Sequence, residues 1–167
     1  MLIFAKRADL LMGLIFISSL GLILGALGFQ HIGELAPCDL CYKQRWVYYA
    51  AIAFVPIALF LYERGELTIT KVMLFVLAAA FFANMVLGVY HAGIEWKWWD
   101  GPASCSGTGQ LDATIDLWQA LKTAKPVPCG EAQWRFLGLS MAFYSALASL
   151  GLAIIAVYTS HVAKAKD

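Results

Sequence analysis

The sequence predicts an all-α integral membrane protein: a four-transmembrane-helix antiparallel bundle with one long loop that carries a short amphipathic helix. Two observations predict it. Of 167 residues, 61% are hydrophobic and only 14% are charged, against about a quarter charged in an ordinary soluble domain. The charges are also segregated, which leaves four intervals without Asp, Glu, Lys or Arg: Leu10 to Gly33, Trp46 to Tyr62, Val72 to Ile94, and Phe136 to Ala163. A hydrocarbon core about 30 Å thick needs roughly 20 apolar residues at about 1.5 Å each.

These four intervals exhaust the apolar sequence, so residues 1–167 read as a single membrane domain. The approximate spans are 10–30, 42–62, 71–91 and 136–158, with loops at 31–41 and 92–135 on one side.

The first interval follows Lys6 and Arg7, as a signal peptide would, but it is longer than the usual h-region of about 7–15 residues and no clear A-x-A site follows it. A retained helix is the expectation. The second interval, at 17 residues, is the shortest. Lys43 and Arg45 extend it by laying their methylene stems along the helix while their charged heads reach the headgroups.

The link between spans two and three, "ERGELTITK", is a tight charged turn with a glycine, which suits an antiparallel helix hairpin. The third span ends near His91, and the stretch from there to Arg135 far exceeds the usual helix–helix connection of about 2–8 residues. Loops of that length are where functional residues are to be sought. Within it, "LDATIDLWQAL" spaces Leu111, Ile115, Leu117 and Trp118 among acidic residues, as a short amphipathic helix at headgroup level would, or a helical turn packed on the bundle. "EWKWWDGP" reads as an aromatic belt at the membrane interface.

An even number of spans puts both termini on one side. Lys6, Arg7, Arg64, Lys71, Lys164 and Lys166 would lie there in short segments, whereas four of the opposing basic residues are spread over the long loop, where charge bears weakly on topology. The termini are therefore expected to be cytoplasmic. A net charge of +1 with no basic run points away from nucleic acid.

On this plan Cys38, Cys41, Cys105 and Cys129 all fall on the non-cytoplasmic side, where disulfides persist. A four-cysteine zinc site would repeat the short C-x-x-C spacing, but 23 residues separate Cys105 from Cys129, which argues against it. A Cys105–Cys129 disulfide could staple its loop with about 3 kcal/mol on the chain-entropy model. Cys38 and Cys41 are different, because a bond between residues three apart closes almost no loop and removes little unfolded-state entropy. Such a bond is better suited to exchange.

The surroundings of Cys41 agree. Pro37 can occupy the first helical position, which would place both cysteines in the first turn of span two, where unpaired backbone N–H groups favour an anion such as a thiolate. Arg45, four residues after Cys41, shares its helical face about 6 Å deeper. It can stabilise a thiolate or hold an electron-rich ligand, and its alternative role is a lipid-phosphate anchor.

No Rossmann glycine motif, c-type haem motif or P-loop is present to receive electrons. A quinone needs none of these: it would reach the end of span two laterally from the lipid, with its ring near Cys41. His91 could donate a hydrogen bond to a quinone carbonyl, or be a satisfied interfacial polar residue. Asn84 is expected to bond between helices, and His161 lies toward the opposite face.

"CDLCYKQR" opening span two, "CS…PCGEAQWRFLGLSMA" leading into span four, and the four-span plan together resemble the bacterial disulfide bond formation protein B (DsbB) family over essentially the whole chain. "GVYHAGIEWKWWDGPASC" looks like one branch of it. The resemblance implies a quinone-dependent protein dithiol oxidoreductase, multi-pass in the bacterial inner (cytoplasmic) membrane, with periplasmic cysteine loops. Its implied partners are a DsbA-like periplasmic thioredoxin-fold oxidase and the membrane quinone pool, ubiquinone or menaquinone.

It further implies catalytic Cys38, Cys41, Cys105 and Cys129, with Arg45 and His91 binding quinone. The partner would attack the Cys105–Cys129 disulfide at Cys105, Cys129 would attack Cys38, and Cys41 would be freed against the quinone. Exchange favours a leaving thiol of low pKa, and Cys41 at a helix N-terminus beside Arg45 is the best candidate of the four.

Two other classes fit parts of the pattern. A vitamin K epoxide reductase-like enzyme would carry its active C-x-x-C near the last span, whereas here it opens the second. A non-enzymatic four-helix membrane scaffold with structural disulfides would show no thiol-driven quinone loss.

Overall fold

A computed structural model describes residues 2–102, 105 and 128–164. The elements run α1 (Leu2–His31), α2 (Asp39–Glu63), α3 (Leu67–Glu95), β1 (Arg135–Phe136), β2 (Leu139–Ser140) and α4 (Met141–Val162). All four helices are long and apolar enough to cross a membrane. The shortest, α4 at 22 residues, spans about 33 Å at the α-helical rise. The stretch 111–121, expected to be amphipathic, lies outside the described residues.

Helices α1 to α4 pack as a closed ring, each against the next and α4 back against α1, with α3 and α4 in the most extensive contact. Met12, Ile15, Tyr48, Val55, Leu74, Phe81 and Leu152 meet in the centre. The outer surface is equally apolar: Leu10 is 72% exposed, Ile17 67% and Val76 65%. In water such a surface would be an aggregation liability. In lipid it is the solvated face, and the helical backbone satisfies its own polar groups.

Because lipid is as apolar as the core, packing and interhelical hydrogen bonds carry the association. The Asn84 amide on α3 donates to Ser149 Oγ on α4 at 2.8 Å, and the Tyr48 hydroxyl on α2 meets that oxygen at 2.8 Å and donates to the Ser145 carbonyl at 3.0 Å. Three helices share this one polar node. Closer to the site, a β-carbon on Gly88 would stand 2.9 Å from Ala146 Cβ and 3.0 Å from the Ala142 carbonyl oxygen. The α3–α4 backbones approach because that carbon is missing.

The fourth charge-free interval begins at Phe136, but α4 begins at Met141. Residues 135–140 instead fold into a hairpin in which Arg135 pairs with Ser140 and Phe136 with Leu139. Its turn holds Leu137 at φ 50° and Gly138 at φ 81°, a left-handed pair that an α-helix cannot contain. Ser140 then caps α4 by accepting the Phe143 N–H.

Gly88→Val is expected to push α3 away from α4 at Ala142 and Ala146. Overpacking of this kind costs about 1–3 kcal/mol, so thermal unfolding in detergent should fall by several degrees, with Gly21→Val, at an open position, as the comparison.

Candidate functional site

The N-terminus of α2 and the C-terminal end of α3 lie at the same end of the bundle, and Cys105 and Cys129 pack against them. Cys38 is the N-cap of α2: its sulfur accepts the Cys41 N–H at 3.2 Å. Pro37 therefore stands outside the helix and is not its first residue, because the sulfur has captured the free N–H group that would define the cap. Cys38 Sγ lies 2.6 Å from Cys41 Sγ, and both are free cysteines, Cys38 buried and Cys41 half-buried.

The hydrogen bond to Cys41, and then burial, push the Cys38 thiol well above its ordinary pKa. In the dithiol, Cys38 keeps its proton.

Cys105 and Cys129 are joined by a disulfide. It packs in one buried cluster with Cys38, Leu40 and Ile94, against which Cys41 also rests. Both cysteine pairs thus share a single apolar pocket. The loop is pinned there from three directions. Lys97 Nζ donates to the Gly130 carbonyl at 2.9 Å, Gln133 Nε2 donates to the Ala36 carbonyl at 2.8 Å, and the Cys129 N–H donates to the Cys105 carbonyl at 3.3 Å. Gly101 allows the approach, since a β-carbon there would stand 3.2 Å from Cys105 Cβ.

His91, 2% exposed, reaches the pair from α3. Gln44 Nε2 donates to His91 Nδ1 at 2.9 Å, which leaves the ring proton on Nε2. That nitrogen faces Cys38 Sγ at 3.5 Å and Glu95 Oε1 at 3.9 Å. Arg45 turns toward α1, donating to Gln30 Oε1 at 2.6 Å and to the Ala26 carbonyl at 3.3 Å. Its guanidinium also lies 5.5 Å from the centre of the Tyr42 ring.

Cys41, Gln44, Arg45, His91 and Glu95 line a cavity of about 380 Å³ whose remaining walls, mainly apolar, come from α1, α4 and the segments 35–38 and 128–136. Trp134 borders it, packed against Phe29 at 5.2 Å and stacked on Phe136 at 5.9 Å. An apolar cavity of this size with a few convergent polar groups suits a small ring-bearing ligand.

A profile of the family described as "Disulfide bond formation protein DsbB" matches residues 8–159. The chain belongs to the disulfide bond formation protein B family. The protein of that name from Xanthomonas oryzae pv. oryzae is 32% identical over 157 residues, covering 90% of this chain and 88% of its own. Those from Pasteurella multocida and Methylococcus capsulatus are 31% and 29% identical, covering 77% and 89% of this chain and 71% and 90% of their own. The chain is thus a multi-pass membrane protein of disulfide bond formation with a disulfide-forming oxidoreductase role, and the vitamin K epoxide reductase-like and scaffold readings fall away.

All six residues singled out in the sequence, Cys38, Cys41, Cys105, Cys129, Arg45 and His91, are gathered at this end of the DsbB-family bundle. Sequence reasoning missed Gln44, Gln30, Glu95 and Trp134. Gln44 sits inside "CDLCYKQR" three residues after Cys41, and Glu95 follows His91 by one helical turn, so helical spacing could have flagged both. Nothing local marks Gln30 as the partner of Arg45. "EWKWWDGP" also does more than line an interface: Trp99 Nε1 donates to the Tyr90 carbonyl at 2.9 Å and its ring stacks on Tyr90 at 5.8 Å.

A buried, protonated Cys38 beside a half-buried Cys41 predicts an order of alkylation. With the pair reduced, iodoacetamide at pH 8 should modify Cys41 first, and Cys38 at least about tenfold more slowly than a free cysteine, since only the thiolate reacts. Mass spectrometry of peptides over a time course reads this directly.

Proposed function

We propose that this chain is a membrane thiol:quinone oxidoreductase that reoxidises a DsbA-like periplasmic dithiol oxidase and passes the electrons to ubiquinone or menaquinone. The observation that carries the reading is the shared cluster: the Cys105–Cys129 disulfide packs on Cys38, while Cys41 borders the cavity. The disulfide is buried against the dithiol, and Cys129 borders the cavity beside Cys38 and Cys41, so the two pairs and the ligand space are contiguous. We place the chain in the bacterial inner membrane as one domain over residues 1–167, both termini cytoplasmic and the cysteine loops periplasmic.

The catalytic roles proposed for the cysteines follow from exchange chemistry. A partner thiolate attacks Cys105, forming a mixed disulfide and releasing Cys129 as a thiolate. With Cys38 and Cys41 oxidised, Cys129 attacks Cys38 and frees Cys41. The second partner thiol then resolves the mixed disulfide, and the released Cys105 attacks Cys129, restoring Cys105–Cys129 and leaving Cys38 and Cys41 as the dithiol. The net change moves two electrons and two protons from the partner to the Cys38–Cys41 pair.

The residues present fit a quinone: Arg45, Gln44 and His91 supply polar groups in a cavity that is otherwise largely apolar. A bound quinone supplies a two-electron, two-proton acceptor beside Cys41. Arg45, already held by α1, would fix the ring and favour a thiolate at Cys41; His91 would offer its Nε2 proton.

Mixing purified protein, a ubiquinone analogue and a reduced thioredoxin-fold partner should bleach quinone absorbance; no loss on adding the partner would defeat the proposal. Cys105→Ser should abolish the trapped partner complex and Cys129→Ser should accumulate it, read on non-reducing gels. Equal trapping by both would contradict the assigned order.

Arg45→Ala removes a charge-assisted contact worth about 1.5–3 kcal/mol. The KM for quinone should therefore rise about tenfold or more while partner trapping is unchanged.

A further inference from the structure

Cys38 Sγ, Cys41 Sγ and a ring nitrogen of His91 lie within 4.8 Å of one another. Two thiols and an imidazole are the ligands that a closed-shell divalent cation such as zinc selects. Glu95 stands one turn beyond His91, outside this group of three. It is 8% exposed, its Oε1 is 3.9 Å from His91 Nε2, and its Oε2 has no hydrogen-bond partner among the described residues. Leaving a buried carboxylate oxygen unpaired is costly, and a cation held by the three ligands would place positive charge beside it.

Tetrahedral zinc, with bonds of about 2.3 Å to sulfur and about 2.1 Å to nitrogen, sets ligand separations of about 3.6–3.8 Å. Cys38 Sγ and His91 Nε2 already stand 3.5 Å apart. The two sulfurs, now at 2.6 Å, would open by about 1.2 Å, which the half-buried Cys41 can provide by rotating its side chain. Binding at Nε2 moves the ring proton to Nδ1, where Gln44 accepts it by turning its amide.

We propose that reduced Cys38 and Cys41, with His91, form a binding site for a thiophilic divalent cation of the zinc class, supported by the Glu95 carboxylate beside His91, and that occupancy arrests the chain in its dithiol form. Binding exchanges two thiol protons for one metal ion and moves no electrons. Oxidation of the pair uses the same two sulfurs to make a disulfide, losing two electrons and two protons. The two events exclude each other, so the site exists only in the reduced protein. It differs from a four-cysteine site, because Cys105 and Cys129 are bonded to each other. The arrest rests on the oxidoreductase reading; the binding does not.

Full-length protein in detergent, reduced and then titrated with Co²⁺, should take up one ion per chain with thiolate-to-cobalt charge-transfer absorption that Zn²⁺ displaces. Cys41→Ser should abolish the band, and Glu95→Gln, which keeps size and shape, should weaken cobalt binding about tenfold or more. The Cys105→Ser/Cys129→Ser double variant should retain it. A band that survives oxidation of Cys38 and Cys41, is unchanged in both Glu95→Gln and His91→Ala, or is lost from a folded double variant would overturn the site. Zinc should also stop quinone loss in the turnover assay. Turnover that continues with zinc bound would overturn the arrest alone, whereas metal-free protein without turnover would count against the oxidoreductase reading and leave the cobalt band to decide the site.

Discussion

One sulfur atom fixes the geometry of this end of the bundle. Cys38 Sγ accepts the Cys41 N–H that begins α2, lies against Cys41 Sγ, and faces His91 Nε2 from α3. A cap, a redox partner and an interhelical contact are thereby combined in a single position. An ordinary N-cap is a serine, threonine, aspartate or asparagine. Sulfur in that place is a weaker acceptor, and it brings thiol–disulfide chemistry to the first turn, where helix-end N–H groups favour negative charge.

Everything around that sulfur is arranged by the scarcity of water. Among the described residues, two groups of buried polar side chains join helices by their side chains: the Tyr48, Asn84 and Ser149 node in the middle and the Gln44, His91 and Glu95 group beside the cysteines. The first is well satisfied and holds three helices together. In the second, Glu95 Oε2 goes unpaired. Where the cost of an unpaired polar atom is high, such a group marks chemistry more than stability.

The described residues on either side of the disulfide fix its position. Lys97, Gln133 and the hairpin before α4 hold Cys129 over Cys38. The disulfide closes a loop of sequence separation 24, long enough to matter as a staple, yet it packs against the free pair rather than away from it. The cavity adjoins both pairs: it runs between α1 and α4 and is bordered by Cys38, Cys41 and Cys129 alike.

Hydrophobic intervals and C-x-x-C spacing alone determined much of this protein. The four helices are legible because a bilayer admits only long apolar segments whose backbone bonds are internal. Cys38, Cys41 and Arg45 are legible because helical periodicity relates residues three and four apart. What the sequence left open are relations between segments. Nothing local pairs Gln30 with Arg45 or Gln44 with His91, and nothing local brings Cys129 against Cys38 across 91 positions of chain. The start of α4 was also hidden, since a charge-free interval cannot distinguish a helix from a hairpin whose turn takes left-handed φ at Leu137 and Gly138. Those choices belong to tertiary packing, because a hydrogen bond or a cavity between helices depends on how their faces are rotated against one another, and hydropathy along the chain carries no record of that rotation.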